Sequence, residues 1–279
     1  MKKLFSAASL LLIACYSNDV CGKSATQCSD YPQRCSEAAR DNKKFMEWRK
    51  SPACIKIVET VSYKQGLALE KIIKSSYPNL LPFCEKICLE DKIGSPISCK
   101  YSIGSCSPTI LRYLKVAGDL QKEFGDLTKL NIIEIGGGFG GQCKILNDVA
   151  GFASYSIIDL PECMPYIDRY LKYFGVKNFS VIDCTKISQP MQFDLVISNY
   201  AISEIDKHGQ LNYIKNIVNL APMGYIIYNY SISNPFVNSY TLQEFVACLS
   251  TDKRLIKIEP ETPQTAKTHD NFVIIWRSK

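Results

Sequence analysis

Five glycines fall within the six positions Gly136 to Gly141, with Glu134 two residues ahead of them and Gln142 directly behind. Glycine removes Cβ atoms where a backbone must turn sharply and lets a ligand lie against the main chain. A helix starting at this point would add its free N–H groups to the cradle. Carboxylates recur further on, at Glu134, Asp159, Asp183 and Glu204, with His208 four residues past the last of them. Such a set suits a nucleotide-type cofactor lying across strand ends, with a proton-accepting side chain beyond it.

The elements that must position these residues follow from the apolar pattern. Leu130, Ile132, Ile133 and Ile135 form a nearly continuous apolar run, as in a parallel strand covered on both faces. A helix from Gln142 to Ala150 follows the glycines and stops at Gly151. Strands are then predicted at Ser154 to Ile158, Phe179 to Ile182, Phe193 to Ser198 and Tyr225 to Tyr228. Between them lie helices opened by Pro161 and running from Asp206 to Leu220. This alternation implies a parallel sheet with right-handed crossovers. Thr241-Leu-Gln-Glu244 is a capping box for a further short helix. The runs Leu255 to Ile258 and Phe272 to Trp276 then close the chain as an antiparallel hairpin. Upstream, Ser107-Pro108 opens a helix with Leu111, Leu114, Ala117, Leu120 and Phe124 at helical spacing and Gly125 past its end. Helices over Pro52 to Ser62, Gly66 to Ser76 and Leu81 to Leu89 read as a small cap, and Ser102-Ile-Gly104 leaves a loop around Tyr101 that reaches toward the active site.

A chain of 279 residues with 46% hydrophobic and 22% charged residues is long enough for a full core and has the composition of a globular protein. Its net charge of +6 is spread without a basic block, so nucleic acid is not an expected partner. Lys2-Lys3 followed by the apolar run Leu4 to Ala14 reads as an export signal, shorter than the roughly 20 residues of a spanning helix. Leu12-Ile13-Ala14-Cys15 also matches a lipoprotein processing site, and a cut after Gly22 is the alternative. Either way the chain is expected to be exported or membrane-associated, with a cytoplasmic protein whose N-terminal helix is buried as the alternative. Cys21, Cys28, Cys35 and Cys54 lie in a stretch of little apolar periodicity, where disulfides would supply order. Cys143, Cys163, Cys184 and Cys248 stand singly, as small buried hydrophobes do. With two histidines and no CxxC pair, no metal site is expected. The divisions are a leader at 1–22, a polar linker at 23–50, a helical cap at 51–106 and a catalytic domain at 107–279.

The glycine loop fits two cofactor patterns. Gly136-x-Gly138-x-x-Gly141 matches a dinucleotide fingerprint with Asp159 as the ribose acid, which keeps an NAD(P)-dependent oxidoreductase in view. Glu134-x-Gly136-x-Gly138-x-Gly140 equally matches the loop of S-adenosyl-L-methionine (SAM) methyltransferases. Asp183 at the end of a third strand, placed for the adenine amine, and the terminal hairpin favour SAM. So does the short length of chain left after the fingerprint.

The chain resembles the sugar O-methyltransferase family of bacterial glycan loci from about Tyr63 to its C-terminus. Four blocks carry the resemblance: Ser107-Pro-Thr-Ile-Leu-Arg112-Tyr113, Ile133-Glu-Ile-Gly-Gly-Gly-Phe-Gly-Gly-Gln142, Ile158-Asp-Leu-Pro-Glu162 and Ser198-Asn-Tyr-Ala-Ile-Ser-Glu204. It implies a Rossmann-like, seven-stranded class I α/β fold, SAM as methyl donor and a saccharide or glycan hydroxyl as acceptor. In that reading Glu134, Gly136, Gly138, Gly140, Asp159, Asp183 and Asn199 hold the cofactor. Glu204 or His208 takes the proton, and Tyr200, Arg112 and Tyr101 meet the acceptor. An exported glycan-binding protein without turnover is the other class of explanation, because SAM is made in the cytosol.

Overall fold

Ile132 faces one side of the central sheet and Ile133 the other, and the same is true of Ile157 and Ile158, Leu195 and Val196, Ile226 and Ile227, and Ile274 and Ile275. Strands apolar at both parities must be covered on both faces, and both are covered here. The structure is a computed structural model that describes residues 22–229, 237–249, 254–265 and 270–279. The leader-like run with Cys15 and Cys21, part of the loop after the fifth parallel strand, and His269 lie outside the described residues.

Helix α1 (Tyr31–Arg40), α2 (Asn42–Glu47) and a 3-10 turn at Trp48–Lys50 occupy the stretch expected to be a polar linker. Tyr31, Cys35 and Ala38 form one buried stripe at spacings of four and three, and Asp41 caps α2 through the Lys44 amide at 2.8 Å. Polar residues outnumber that stripe, which is why it escapes a composition-based reading. Cys28, Cys35 and Cys54 are thiols and not the expected disulfides; Cys35 and Cys54 are buried as small apolar groups. Helices α3 (Pro52–Ile57), α4 (Tyr63–Ser76) and α5 (Leu81–Glu90) follow. The loop around Tyr101 is a hairpin of β1 (Cys99–Tyr101) and β2 (Gly104–Cys106). Helix α6 (Pro108–Phe124) is capped by Ser107, whose hydroxyl accepts from the Ile110 amide.

The buried side chains of these helices join one apolar cluster that continues through Phe139 and Tyr170 to Ile275 in the sheet. The N-terminal half therefore covers a face of the sheet. Its tightest polar joint is Arg49, wholly buried, whose guanidinium reaches Glu59 at 2.6 Å, Asp91 at 2.6 Å and Ser107 at 2.7 Å and lies over the Phe139 ring.

The sheet begins with β3 (Asn131–Ile135), which leads into α7 (Gly141–Val149), β4 (Ser154–Asp159), α8 (Met164–Tyr173), β5 (Phe179–Asp183) and β6 (Leu195–Asn199). Helix α9 (Lys207–Tyr213) runs into a π turn at Ile214–Val218, then come β7 (Met223–Asn229), α10 (Leu242–Ala247), β8 (Arg254–Pro260) and β9 (Asn271–Ser278). Strand order is β5-β4-β3-β6-β7-β9-β8, with β3 to β7 parallel and β9 antiparallel to both neighbours. That order, with the last strand inserted antiparallel, is the class I methyltransferase sheet expected from the sequence. Because β3 and β6 are adjacent while their chains leave toward opposite faces, a crevice opens at their carboxyl ends. Among the described residues no helix is long and apolar enough to cross a membrane, and no group of three or more His, Cys, Asp or Glu residues is placed to hold a metal ion.

Candidate functional site

A cavity of about 650 Å³ fills that crevice. Its floor is the loop from Gly136 to Gly138. Gly136 has φ +78 and donates its amide to Ile158 O at 2.8 Å, and a Cβ there would stand 2.1 Å from the Cβ of Ala201. Only glycine fits both the dihedral and the contact. Gly138 has φ +59 and also lines the cavity, whereas Gly140, at φ +89, opens α7 beneath Leu171 and Ile167 and does not line it.

Two acids stand against this loop. Glu134 is 1% exposed, accepts from Tyr155 Oη at 3.0 Å and faces Asn199 Nδ2 at 3.4 Å. Burial pushes its carboxyl up to about 8, against the pull of those donors. Asp159, at the end of β4, accepts from the Gly137 amide at 2.9 Å and the Leu160 amide at 2.8 Å. Burial raises it to about 6, with backbone donors from Leu160, Gly137 and Gly138 and the Cys163 thiol opposing. Its oxygens thus pin the glycine loop while the residue lines the cavity.

The wall opposite the start of α7 in the chain comes from the end of β6. Ser198 Oγ donates to Ile135 O at 2.9 Å and accepts from the Ile202 amide at 3.1 Å, which fixes the turn after β6 to the end of β3. Asn199 Nδ2 reaches Gln142 Oε1 at 3.4 Å, and its Oδ1 is buried with no hydrogen-bond partner among the described residues. Tyr200 holds φ +73, an unusual dihedral for a bulky residue. Its hydroxyl donates to Glu261, and its ring lies 5.0 Å from the Arg112 guanidinium. Glu204 ends the following 3-10 turn, accepts from Asn229 Nδ2 at 3.0 Å, and is pushed by burial up to about 7.

Of the residues singled out in the sequence, Glu134, Gly136, Gly138, Asp159, Asn199, Tyr200, Arg112 and Glu204 meet around this one cavity. Three do not. His208 is exposed on α9 and lies outside the lining, whereas Glu204 lines it. Asp183 is paired in register with Asp159, yet its carboxylate turns back to cap Thr185, accepting from its amide at 2.9 Å and its hydroxyl at 2.7 Å. Its modest burial would raise it, but the Thr185 and Lys186 hydrogen bonds hold it below the usual carboxylate range, and its neighbour Cys184 lines the cavity instead. Tyr101 packs within the N-terminal half, its hydroxyl against Gly66 of α4 and its ring 5.7 Å from Tyr63.

Other lining residues come from the end of the stretch read as a leader and from the stretch read as a linker. Gly22, Ser24, Thr26, Gln27 and Tyr31 form a strap along the cavity. The Lys23 amide donates to Asp206 Oδ2 at 2.9 Å, Asp206 N returns a bond to Lys23 O at 2.9 Å, and the Ala25 amide donates to Glu204 O at 3.1 Å. A usable signal was present in Asp30-Tyr31-Pro32, a helix start followed by the Tyr31, Cys35, Ala38 stripe. Asn229, Thr265 and Asn271 also line the cavity and carried no such signal.

No family model matches the chain, and no curated protein matches it by sequence. Among solved structures it is similar to magnesium protoporphyrin IX methyltransferase from Synechocystis PCC 6803 with bound SAH, at 10% identity over 61% of this chain and 83% of that one, with a TM-score of 0.48. It is also similar to a SAM-dependent methyltransferase from Aquifex aeolicus, at 17% identity over 58% of this chain and 89% of that one, with a TM-score of 0.43. An O-methyltransferase family protein from Burkholderia thailandensis is similar at 11% identity over 62% of this chain and 58% of that one, with a TM-score of 0.44.

Proposed function

We propose that this chain is a SAM-dependent methyltransferase that methylates a hydroxyl of a saccharide or glycan. One observation carries the proposal: in a single crevice at the carboxyl ends of β3, β4 and β6, the glycine loop with Glu134 and Asp159 is joined by Glu204, a half-buried carboxyl that desolvation raises to about 7. The donor set suits the cofactor. The Glu134 side chain and the Oδ1 of Asn199, partnerless among the described residues, are acceptors for an ammonium, and Gly136 to Gly138 line the cavity with main chain alone.

SAM, when bound, supplies a methyl group already activated by its sulfonium. The chain's residues then have two tasks, alignment and removal of one proton. The loop and Asn199 fix the donor side. Glu204 takes the hydroxyl proton, with Asn229 bonded to its Oε1 setting its orientation. Ser24, Gln27, Thr60 and Thr265 along the cavity offer the short polar contacts that a hydroxyl-rich acceptor requires. The leader supports placing the enzyme in the export route or at the membrane, which the mass of the mature N-terminus tests.

Incubation with methyl-labelled SAM and cell-envelope glycans is expected to move label into the glycan fraction as an O-methyl sugar. Calorimetry showing NADH binding without S-adenosylhomocysteine binding would select the oxidoreductase instead. Tight S-adenosylhomocysteine binding with no label transferred to any glycan would favour the glycan-binding protein without turnover.

A further inference from the structure

Three arginines are buried among the described residues; Arg254 donates to the Val218 and Ala221 carbonyls at 2.8 and 2.9 Å and to Asn219 at 3.2 Å, and the other two are treated differently. Arg49 is 0% exposed and has what a buried guanidinium demands: two carboxylates, a hydroxyl and a backbone carbonyl, each within 3.2 Å. Arg112 is 6% exposed and has no carboxylate within ion-pair distance among the described residues. Its Nη1 is 3.5 Å from Thr60 Oγ1 and its Nη2 3.4 Å from Val58 O, both long for hydrogen bonds, and its Nε has no partner. The rings of Tyr113 and Tyr200 lie 5.3 Å and 5.0 Å from its Cζ and hold the plane in place. The Tyr113 hydroxyl is a side-chain partner, and the Glu261 carboxylate, which acts on Arg112 through space, is already engaged by Tyr200, Thr265 and Asn271. A buried cation without a counter-charge costs several kcal/mol, about as much as a folded chain can spare. Arg112 lines the cavity, so the missing partner has a place to come from.

We infer that Arg112 is an anion subsite of the cavity, and that its unpaired Nε and weakly bonded Nη2 receive a carboxylate side-on. A planar two-oxygen acceptor matches that fork. A phosphate dianion matches it less well, because the same cavity is lined by Glu59, Glu134, Asp159 and Glu204 against only Arg112 and Lys56. The inference rests on the methyltransferase reading for one of its two sources. The carboxylate belongs either to the methionyl end of the cofactor or to an acidic acceptor such as a uronate sugar.

Two ligand pairs differing in a carboxylate separate these sources, each titrated calorimetrically into the full chain and into Arg112→Gln. The first pair is S-adenosylhomocysteine and 5′-methylthioadenosine; the second is p-nitrophenyl glucuronide and p-nitrophenyl glucoside. If the cofactor supplies the group, the substitution weakens S-adenosylhomocysteine by roughly 10- to 100-fold, the span expected for a lost charged hydrogen bond, and leaves methylthioadenosine unchanged. If the acceptor supplies it, the glucuronide weakens by that factor while the glucoside and both nucleosides do not. Equal losses within both pairs, or no loss in either, overturn the subsite. Wild-type protein that binds neither nucleoside would sink the methyltransferase reading, and the glycoside pair would then decide Arg112 by itself. Arg112→Lys, which keeps the charge and loses the fork, is expected to show an intermediate loss and serves the same comparison should the Gln variant not fold.

Discussion

Burial sets the working state of the acids around the cavity, and the consequences differ by residue. Glu204, raised to about 7, is ionised over the upper half of the neutral range and still basic enough to take a hydroxyl proton. Glu204→Gln is expected to lower kcat by roughly 10²- to 10⁴-fold with S-adenosylhomocysteine affinity unchanged, and to abolish the rise of kcat/KM through neutral pH. A Gln variant that keeps the wild-type rate and the same acid limb would remove Glu204 from the mechanism. Glu134 acts on stability instead. Its folded value of about 8 stands above its ordinary 4.5, so between those pH values the folded chain keeps a proton that the unfolded chain has released. Stability is therefore highest below that window and is lost as pH rises through it. Glu134→Gln keeps an acceptor for Tyr155 and cannot ionise. Thermal melts are expected to show it more stable than wild type at pH 9, by about 5 kcal/mol, and within about 1 kcal/mol of it at pH 5.

At the scale of elements, the site depends on how closely the loop after β3 approaches the turn after β6. Gly136→Ala places a methyl 2.1 Å from the Ala201 Cβ and forces a positive φ on a residue that resists it. The expected loss is about 2 to 4 kcal/mol by denaturant melt, with S-adenosylhomocysteine binding lost by calorimetry. Adding Ala201→Gly relieves the contact but not the dihedral, so part of the stability should return. Complete recovery would show that φ at Gly136 costs nothing. The joint between the N-terminal helices and the sheet is electrostatic as well as apolar. Arg49→Met strands Glu59 and Asp91 without their cation, and a loss of about 3 to 5 kcal/mol is expected. Neutralising both acids in the same chain, as Glu59→Gln and Asp91→Asn, should restore most of it. If it does not, stacking on Phe139 is the larger contribution of Arg49.

For the whole molecule, the sheet was legible because buried strands are nearly continuous apolar runs and the glycines mark where one of them ends. Asp183 and His208 were placed beside the cavity by strand register and chain order, which do not fix a rotamer or a helix face; a Thr two residues on captured the Asp183 carboxylate. Residues 22 to 31 were harder still, since a strap held by backbone bonds to Asp206 and Glu204 leaves no side-chain period to read. That strap makes the cavity depend on the segment farthest from it in sequence, next to where a leader cut after Gly22 would fall. Its grip is a few hydrogen bonds, each worth about 1 kcal/mol, so it can open without unfolding the sheet. A chain lacking residues 1–29 is therefore expected to keep its circular dichroism and bind S-adenosylhomocysteine roughly tenfold more weakly. In the full chain, ligand should slow hydrogen exchange at the Lys23 and Ala25 amides, and Asp206→Asn, which loses one of its two amide acceptors, should speed it. Unchanged affinity in the shortened chain, with ligand-independent exchange at those amides, would mean that the strap only borders the cavity and does not close it.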